Sequence, residues 1–280
     1  MTREEIREQI IRKRSFLCVG LDTDPERIPQ HIRDYEPDPQ FEFNRRIIDA
    51  TIEYSVAYKI NTAFYECYGS RGWESMEKTA NYLSDHPGGP VFIIADAKRA
   101  DIGNTSKYYA DAFFRGLPFD AITVNPYMGG DSVKPFLSYP GKWSIILALT
   151  SNPGAMDFQV LQDPTGRSGK KLFEKVMEIS QHWGSKSDIM YVVGATRAAL
   201  LRKVREITPD HFFLIPGVGA QGGNLREISE VAMNEDIGII VNSSRSIIYA
   251  SAGGDFAEMA GKAARKLQKE MEKILTGFKF

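Results

Sequence analysis

The sequence predicts an α/β fold, a single closed (β/α)8 TIM barrel spanning residues 1–280, and two observations carry that prediction. Eight short β-branched runs recur along the chain, and segments with helical spacing lie between them. Several runs, such as Val91-Phe-Ile-Ile-Ala95, are almost continuously apolar, as parallel strands buried on both faces are. An open doubly wound sheet shares the same alternation, so closure is an expectation that only a structure tests.

The elements follow in order. An extra helix is expected at about 2–14, where Arg3–Lys13 has helical spacing, and the first strand at Ser15–Asp22. Asp22–Gln40 holds Pro25, Pro29, Pro37 and Pro39 and cannot be one regular helix. It reads equally as an active-site loop or a tolerated surface insertion. Helix Phe41–Glu53 leads to strand Ser55–Asn61, and helix Trp73–Asp85 to strand Pro90–Lys98. Helix Ser106–Arg115 leads to strand Ala121–Tyr127, with Tyr108-Tyr109 and Phe113-Phe114 expected to pack it. The fifth strand, Ser144–Ser151, precedes a long polar loop, Asn152–Lys170. Helix Lys171–Trp183 then leads to strand Met190–Thr196, helix Ala198–Thr208 to strand Phe212–Gly219, and helix Leu225–Asn234 to strand Gly238–Arg245. A Lys- and Glu-laced helix, Phe256–Leu275, occupies about 255–276. No linker separates two domains.

Composition narrows the function. Hydrophobic residues at 42% and charged residues at 25% exclude disorder as the main state. Lys and Arg total 35 against 36 Asp and Glu, so neither nucleic acid nor an anionic membrane is an expected partner. The apolar stretch Ser144–Leu149 is far shorter than the ~18 residues of a membrane span. The charged start, without an apolar leader core, predicts a cytoplasmic protein. Cys18 and Cys67 are too few for a disulfide or zinc framework, and Cys18 reads as a small core residue. His31, His86, His182 and His211 all fall away from the expected strand ends, so no histidine metal site or histidine acid–base pair is expected.

Loops at the carboxyl ends of barrel strands build active sites. The polar residues expected there are Asp22, Lys59 with Asn61, Asp96 with Lys98, Asn125, Ser151 and Arg245. Burying a charge is costly unless it is paired, so an interior lysine needs carboxylates. In Asp96-Ala-Lys98 the charged residues are two apart on a strand and share a face, and Asp101 follows in the turn. Lys98 between Asp96 and Asp101 suits a proton donor or electrostatic clamp better than a Schiff-base nucleophile, which needs a free amine. A structural salt-bridge cluster is the plainer reading of the same residues. Lys59 adds a second cation to an alternating-charge array. Pro216–Gly223 is rich in glycine, and Arg245 ends the next strand; together they suggest an anion clamp at the usual phosphate site of a barrel.

These residues resemble the orotidine 5′-monophosphate decarboxylase family. Asp96-Ala-Lys-Arg-Ala-Asp-Ile-Gly-Asn-Thr105 is similar to its signature, and the likeness runs over roughly 15–250. It takes in Val19–Asp22, Lys59, Thr150–Gly154, the Pro216–Gly223 loop and Arg245. Length and insertions resemble the larger-chain, type 2 bacterial subgroup. The resemblance implies that Lys98 protonates C6 of the pyrimidine as CO2 leaves, with Asp96 beside the departing carboxylate. Lys59 and Asp101 complete the charged network, Asp101 from the partner subunit. Asp22 and Thr105 contact ribose, Ser151 the pyrimidine, and Gln221 and Arg245 the phosphate. The resemblance also implies a homodimer with shared active sites and neither metal nor organic cofactor. Gly103 stands where many relatives have proline, and Ser244 where many have glycine. Three other readings stay open: a sugar-phosphate enzyme with Mg²⁺ on Asp96 and Asp101, a Schiff-base aldolase, and an inactive nucleotide-binding barrel.

Overall fold

The computed structural model describes residues 1–162, 169–194, 198–217, 224–278 and 280. Its strands are β1 (Leu17–Gly20), β2 (Ala57–Asn61), β3 (Phe92–Arg99), β4 (Ala121–Val124), β5 (Trp143–Leu149), β6 (Ile189–Val193), β7 (Phe212–Pro216) and β8 (Ile239–Ser243). They pair in sequence order and close into a barrel, so the open-sheet alternative falls. The first helices are α1 (Arg3–Lys13), α2 (Gln30–Tyr35), α3 (Pro39–Thr51), α4 (Ala63–Glu66), α5 (Gly69–Ser84) and α6 (Gly103–Phe114). The others are α7 (Gly130–Val133), α8 (Ala155–Phe158), α9 (Leu172–Ser180), α10 (Ala198–Ile207), α11 (Leu225–Ala232), α12 (Arg245–Ile248) and α13 (Phe256–Phe278). Contacts group the chain into two compact units.

The first unit comprises Met1–Ala97, Ala112–Ala121 and Asn242–Phe280. A capping box starts α1: Glu5 N–H donates to Thr2 Oγ1, and Thr2 N–H to Glu5 Oε2. β1, β2 and β3 run parallel, with Gly20 opposite Lys59 and Asn61 opposite Asp96. Outside them α3 meets α13, and the Phe43 ring stacks on Phe256 at 5.0 Å and on Tyr249 at 5.9 Å. The prolines cut Asp22–Gln40 into short pieces, as expected. Asp24 caps a single 3-10 turn at Pro25–Arg27, and Asp38 caps α3, whose first residue is Pro39.

The second unit comprises Lys98–Asp111 and Ile122–Val241. β5, β6 and β7 are parallel, with a register irregularity between Leu147 and Leu149. Arg205 at the end of α10 donates to the backbone carbonyls of Ala232, Thr208, Pro209, His211 and Gly238, and its guanidinium lies 3.7 Å from the Phe213 ring centroid. One side chain thus gathers the backbone carbonyls of five residues from several segments.

Strand ends are shorter than the sequence suggested. β4 stops at Val124 because Asn125 Oδ1 accepts Tyr127 N–H in a local turn around Pro126. Arg245, expected to end a strand, instead opens α12. Asn152–Lys170, read as loop, holds α8 and a bridge between Gln162 and Lys171. The ends of the expected strands Met190–Thr196 and Phe212–Gly219 fall partly outside the described residues. Phe113 and Phe114 are buried, but Tyr108 is exposed and does not pack its helix. Among the described residues, no helix is long and apolar enough to cross a membrane.

Phe43 is fully buried in the stack that joins α3 to α13. Phe43→Ala is expected to lower unfolding free energy by about 3–5 kcal/mol, read from urea melts. A loss below about 1 kcal/mol would mean that the stack is not a principal contact of that core.

Candidate active site

In the first unit the chemistry centres on Lys59, the middle residue of β2. Its stem is buried with the strand, and its ammonium emerges between two carboxylates. Nζ donates to Asp96 Oδ2 at 2.9 Å and to Asp22 Oδ1 at 3.2 Å. The side chains are only 6%, 11% and 20% exposed for Lys59, Asp96 and Asp22. Burial pulls the Lys59 pKa down, but Asp96 and then Asp22 outweigh it and hold the ammonium above the ordinary lysine range. Asp22 lies two residues beyond β1, and backbone bonds fix it there: Leu21 N–H donates to Lys59 O at 2.8 Å, and Tyr249 hydroxyl donates to Asp22 O at 3.3 Å. The same hydroxyl accepts Asp24 N–H at 2.7 Å.

Cys18 is buried, as expected, and burial pushes its thiol up, away from thiolate chemistry. Arg245 is exposed at the start of α12. Ser244 just before it rests on Gly20, where an added Cβ would stand 1.9 Å from Ser244 Oγ. A glycine in β1 thus makes room for this serine.

In the second unit Lys98 is exposed, with φ +46°. A non-glycine residue in the left-handed region costs about 1–2 kcal/mol. The two-residue alternation that sequence reasoning assumed for Asp96 and Lys98 holds for extended backbone and does not run through this residue. Lys98 N–H donates to Thr123 Oγ1 at 2.9 Å, and Asn125 N–H to Arg99 O at 3.0 Å. Half-buried Asp101 accepts Ile102 N–H on Oδ1, and its carbonyl lies 2.5 Å from the buried Ser106 Oγ. Gly103 opens α6 at φ +52°, a conformation closed to proline. Thr105 is exposed in the first turn of α6.

Ser151 follows β5 and is half-buried. Gln159 clamps its neighbour Thr150, accepting Thr150 N–H and donating to Thr150 Oγ1, both at 2.8 Å. Gly194 after β6 approaches so closely that a Cβ there would lie 2.8 Å from Ser151 N. Gln221, with most of the Pro216–Gly223 loop, lies outside the described residues.

The structure therefore brings Asp22, Lys59 and Asp96 together by ion pairs, whereas the sequence reading assigned Asp22 to ribose alone. Sequence reasoning missed Thr123, Ser106, Gln159 and Tyr249 as supports of the candidate residues. Thr123 had a signal, a lone hydroxyl in the apolar run Ala121-Ile-Thr-Val124. Tyr249 had none. Among the described residues no group of three or more His, Cys, Asp or Glu side chains is placed to hold a metal ion.

Comparison with known proteins gives a family. The model of the orotidine 5′-phosphate decarboxylase / HUMPS family matches residues 15–259. The chain is 54% identical over 276 residues to the orotidine 5′-phosphate decarboxylase of Flavobacterium johnsoniae, covering 98% of each. It is similar to the structure of Leishmania donovani OMP decarboxylase at 32% identity and TM-score 0.80, covering 98% of each chain. Against the UMP synthase of the same organism identity is 35% and TM-score 0.81, and 97% of this chain spans 55% of that one.

The Lys59 clamp predicts a pH signature. Lys59→Met leaves two carboxylates without their cation and is expected to cost about 3–5 kcal/mol at pH 7. Because the folded-state pKa is raised, the wild-type advantage is fully present below the ordinary lysine value of 10.5 and declines as pH rises beyond it. Urea melts of both proteins at pH 7, 9 and 11 check this. An advantage that grew between pH 9 and 11 would contradict the pairing.

Proposed function

The chain belongs to the orotidine 5′-phosphate decarboxylase / HUMPS family, and from that premise we infer a metal-free mechanism for its carboxy-lyase reaction, the conversion of orotidine 5′-monophosphate to UMP and CO2 in pyrimidine biosynthesis. The C6–carboxylate bond breaks, its electron pair remains on C6, and CO2 departs. The ring cannot delocalise that pair, so a fixed cation beside C6 must stabilise it. Lys98 provides the cation and then the proton, and regains a proton from water. Asp96 stands beside the departing carboxylate, and Lys59 with Asp101 completes the charged network. Asp22 and Thr105 hold the ribose, Ser151 the pyrimidine, and Gln221 and Arg245 the phosphate.

The observation that carries this reading is the paired triad of Asp22, Lys59 and Asp96. It pairs a carboxylate with a buried ammonium two residues from Lys98 on the same strand. Charges already held in place need no reorganisation when the transition state forms. We further infer one barrel domain over residues 1–280. The limits of the two contact units fall inside β3, α6, β4 and β8, whereas domain boundaries fall in exposed linkers. The active form is a cytoplasmic homodimer whose Asp101 and Thr105 serve the neighbouring site. The exposed Ile102, Tyr108, Tyr127 and Met128 support it, since they offer apolar surface to a second copy. Neither nucleic acid nor membrane takes part.

Ultraviolet absorbance of orotidine 5′-monophosphate with purified protein tests the reaction. Conversion to UMP is expected, unaffected by EDTA and abolished in Lys98→Ala. Sensitivity to EDTA would favour the Mg²⁺-dependent sugar-phosphate reading, and UMP binding without turnover an inactive barrel. Shared sites have their own check. Mixed Lys98→Ala and Asp101→Ala chains are expected to regain activity that neither parent has, because each hybrid dimer holds one intact site. No recovery in verified hybrids would sink the trans role of Asp101.

A further inference from the structure

Three non-glycine residues among those described have positive φ: Arg14, Lys98 and Ile237. Arg14 caps the end of α1, and Ile237 closes a tight turn with Asn234, both common settings for such backbone. Lys98 is different, because it lies within β3 at φ +46°. Its N–H donates to a side chain, the hydroxyl of Thr123 at 2.9 Å. Thr123 sits in β4, 1% exposed, between the buried Ile122 and Val124. A hydroxyl inside an apolar strand thus meets the strained residue that bears the proposed proton donor.

We propose that Thr123 is a positioning residue for the decarboxylation: its Oγ1 holds the Lys98 backbone in the left-handed conformation from which the ammonium is aimed. This rests on Lys98 acting as the proton donor. Strained backbone persists only where its surroundings over-determine it. Without the acceptor the left-handed conformation loses one of its restraints, and a shift toward extended backbone turns the Cα–Cβ bond of Lys98 and carries the ammonium at the end of a four-carbon stem away from its place. A misplacement of about 1 Å can cost on the order of 100-fold in rate. The loss belongs in kcat, because the carbanion that Lys98 serves exists only after substrate is bound.

The plainer role for Thr123 is packing, and the two roles separate by substitution. Thr123→Val keeps the shape and removes the acceptor, while Thr123→Ser keeps the acceptor and removes a methyl group. Both are made in the full chain, with kcat and KM measured for orotidine 5′-monophosphate and Kd for UMP. Thr123→Val is expected to lower kcat by on the order of 10- to 100-fold, with KM and Kd within about two-fold. Thr123→Ser is expected to keep kcat within about three-fold of wild type. Equal kcat in Thr123→Val and wild type overturns the proposal, as does an equal fall in both variants or a loss carried by KM. If Thr123→Val does not fold, Thr123→Cys, with a weakly accepting sulfur, is judged by the same criteria. Failure of the wild-type protein to decarboxylate this substrate overturns the functional reading itself, which separates the two failures.

Discussion

Lys59 carries a positive charge on a side chain only 6% exposed, and Asp96 and Asp22, at 2.9 and 3.2 Å, make that burial tolerable. Each charge depends on the others. Removing the lysine leaves two carboxylates facing each other; removing either aspartate weakens the compensation for a buried ammonium. The three groups come from β2, β3 and the segment just beyond β1, so one electrostatic constraint fixes the ends of three adjacent strands. The backbone agrees with it. Gly20 lies opposite Lys59 in the ladder, and Leu21 N–H continues the pairing to Lys59 O, which delivers Asp22 to the ammonium.

β3 serves two conflicting requirements. From Phe92 to Asp96 it is a regular parallel strand in register with β2, buried through Ala95. At Lys98 it turns left-handed. The regular part gives Asp96 a rigid origin, while the irregular end frees Lys98 from the alternation a strand imposes. Such strain concentrates at functional sites, where the surroundings must outweigh its cost. The turn that follows is supported from behind: Arg99 O accepts Asn125 N–H, and Ser106 Oγ lies 2.5 Å from Asp101 O and 3.0 Å from Ser132 O. Ser106 is completely buried, so its hydroxyl is committed to holding this turn.

The alternation of strands and helices was legible because its signals are local, apolar runs of strand length separated by helical spacing; closure was not, since an open sheet shares them. Strand order follows from sequence order in a barrel, which leaves little topology to guess. Candidate residues were legible for a related reason, since a lysine or aspartate ending an apolar run has few structural uses. Their partners were not. Asp22 and Lys59 are 37 residues apart, and only the Gly20–Lys59 register makes them neighbours. The left-handed Lys98 was equally hidden, because alternation presumes extended backbone and no glycine marked the departure. Gly103 illustrates the converse. It stood out as a departure from proline, and its φ of +52° supplies the physical reason.

Arg245 and Tyr249 bracket the short helix α12, and that spacing has mechanical consequences. The Tyr249 hydroxyl binds the loop after β1 twice, through Asp24 N–H and Asp22 O. Its ring is held between Phe43, stacked at 5.9 Å, and the Arg27 guanidinium, 3.8 Å from the ring centroid. Arg245 therefore stands on an element whose other end is tied to the backbone of Asp22, the carboxylate that pairs with Lys59. In the proposed reaction the phosphate grips that element far from the reacting carbon. Binding energy gained there can act at the carbon only through structure that resists deformation. A stacked aromatic ring with two hydrogen bonds gives such resistance, and a lone surface arginine would not.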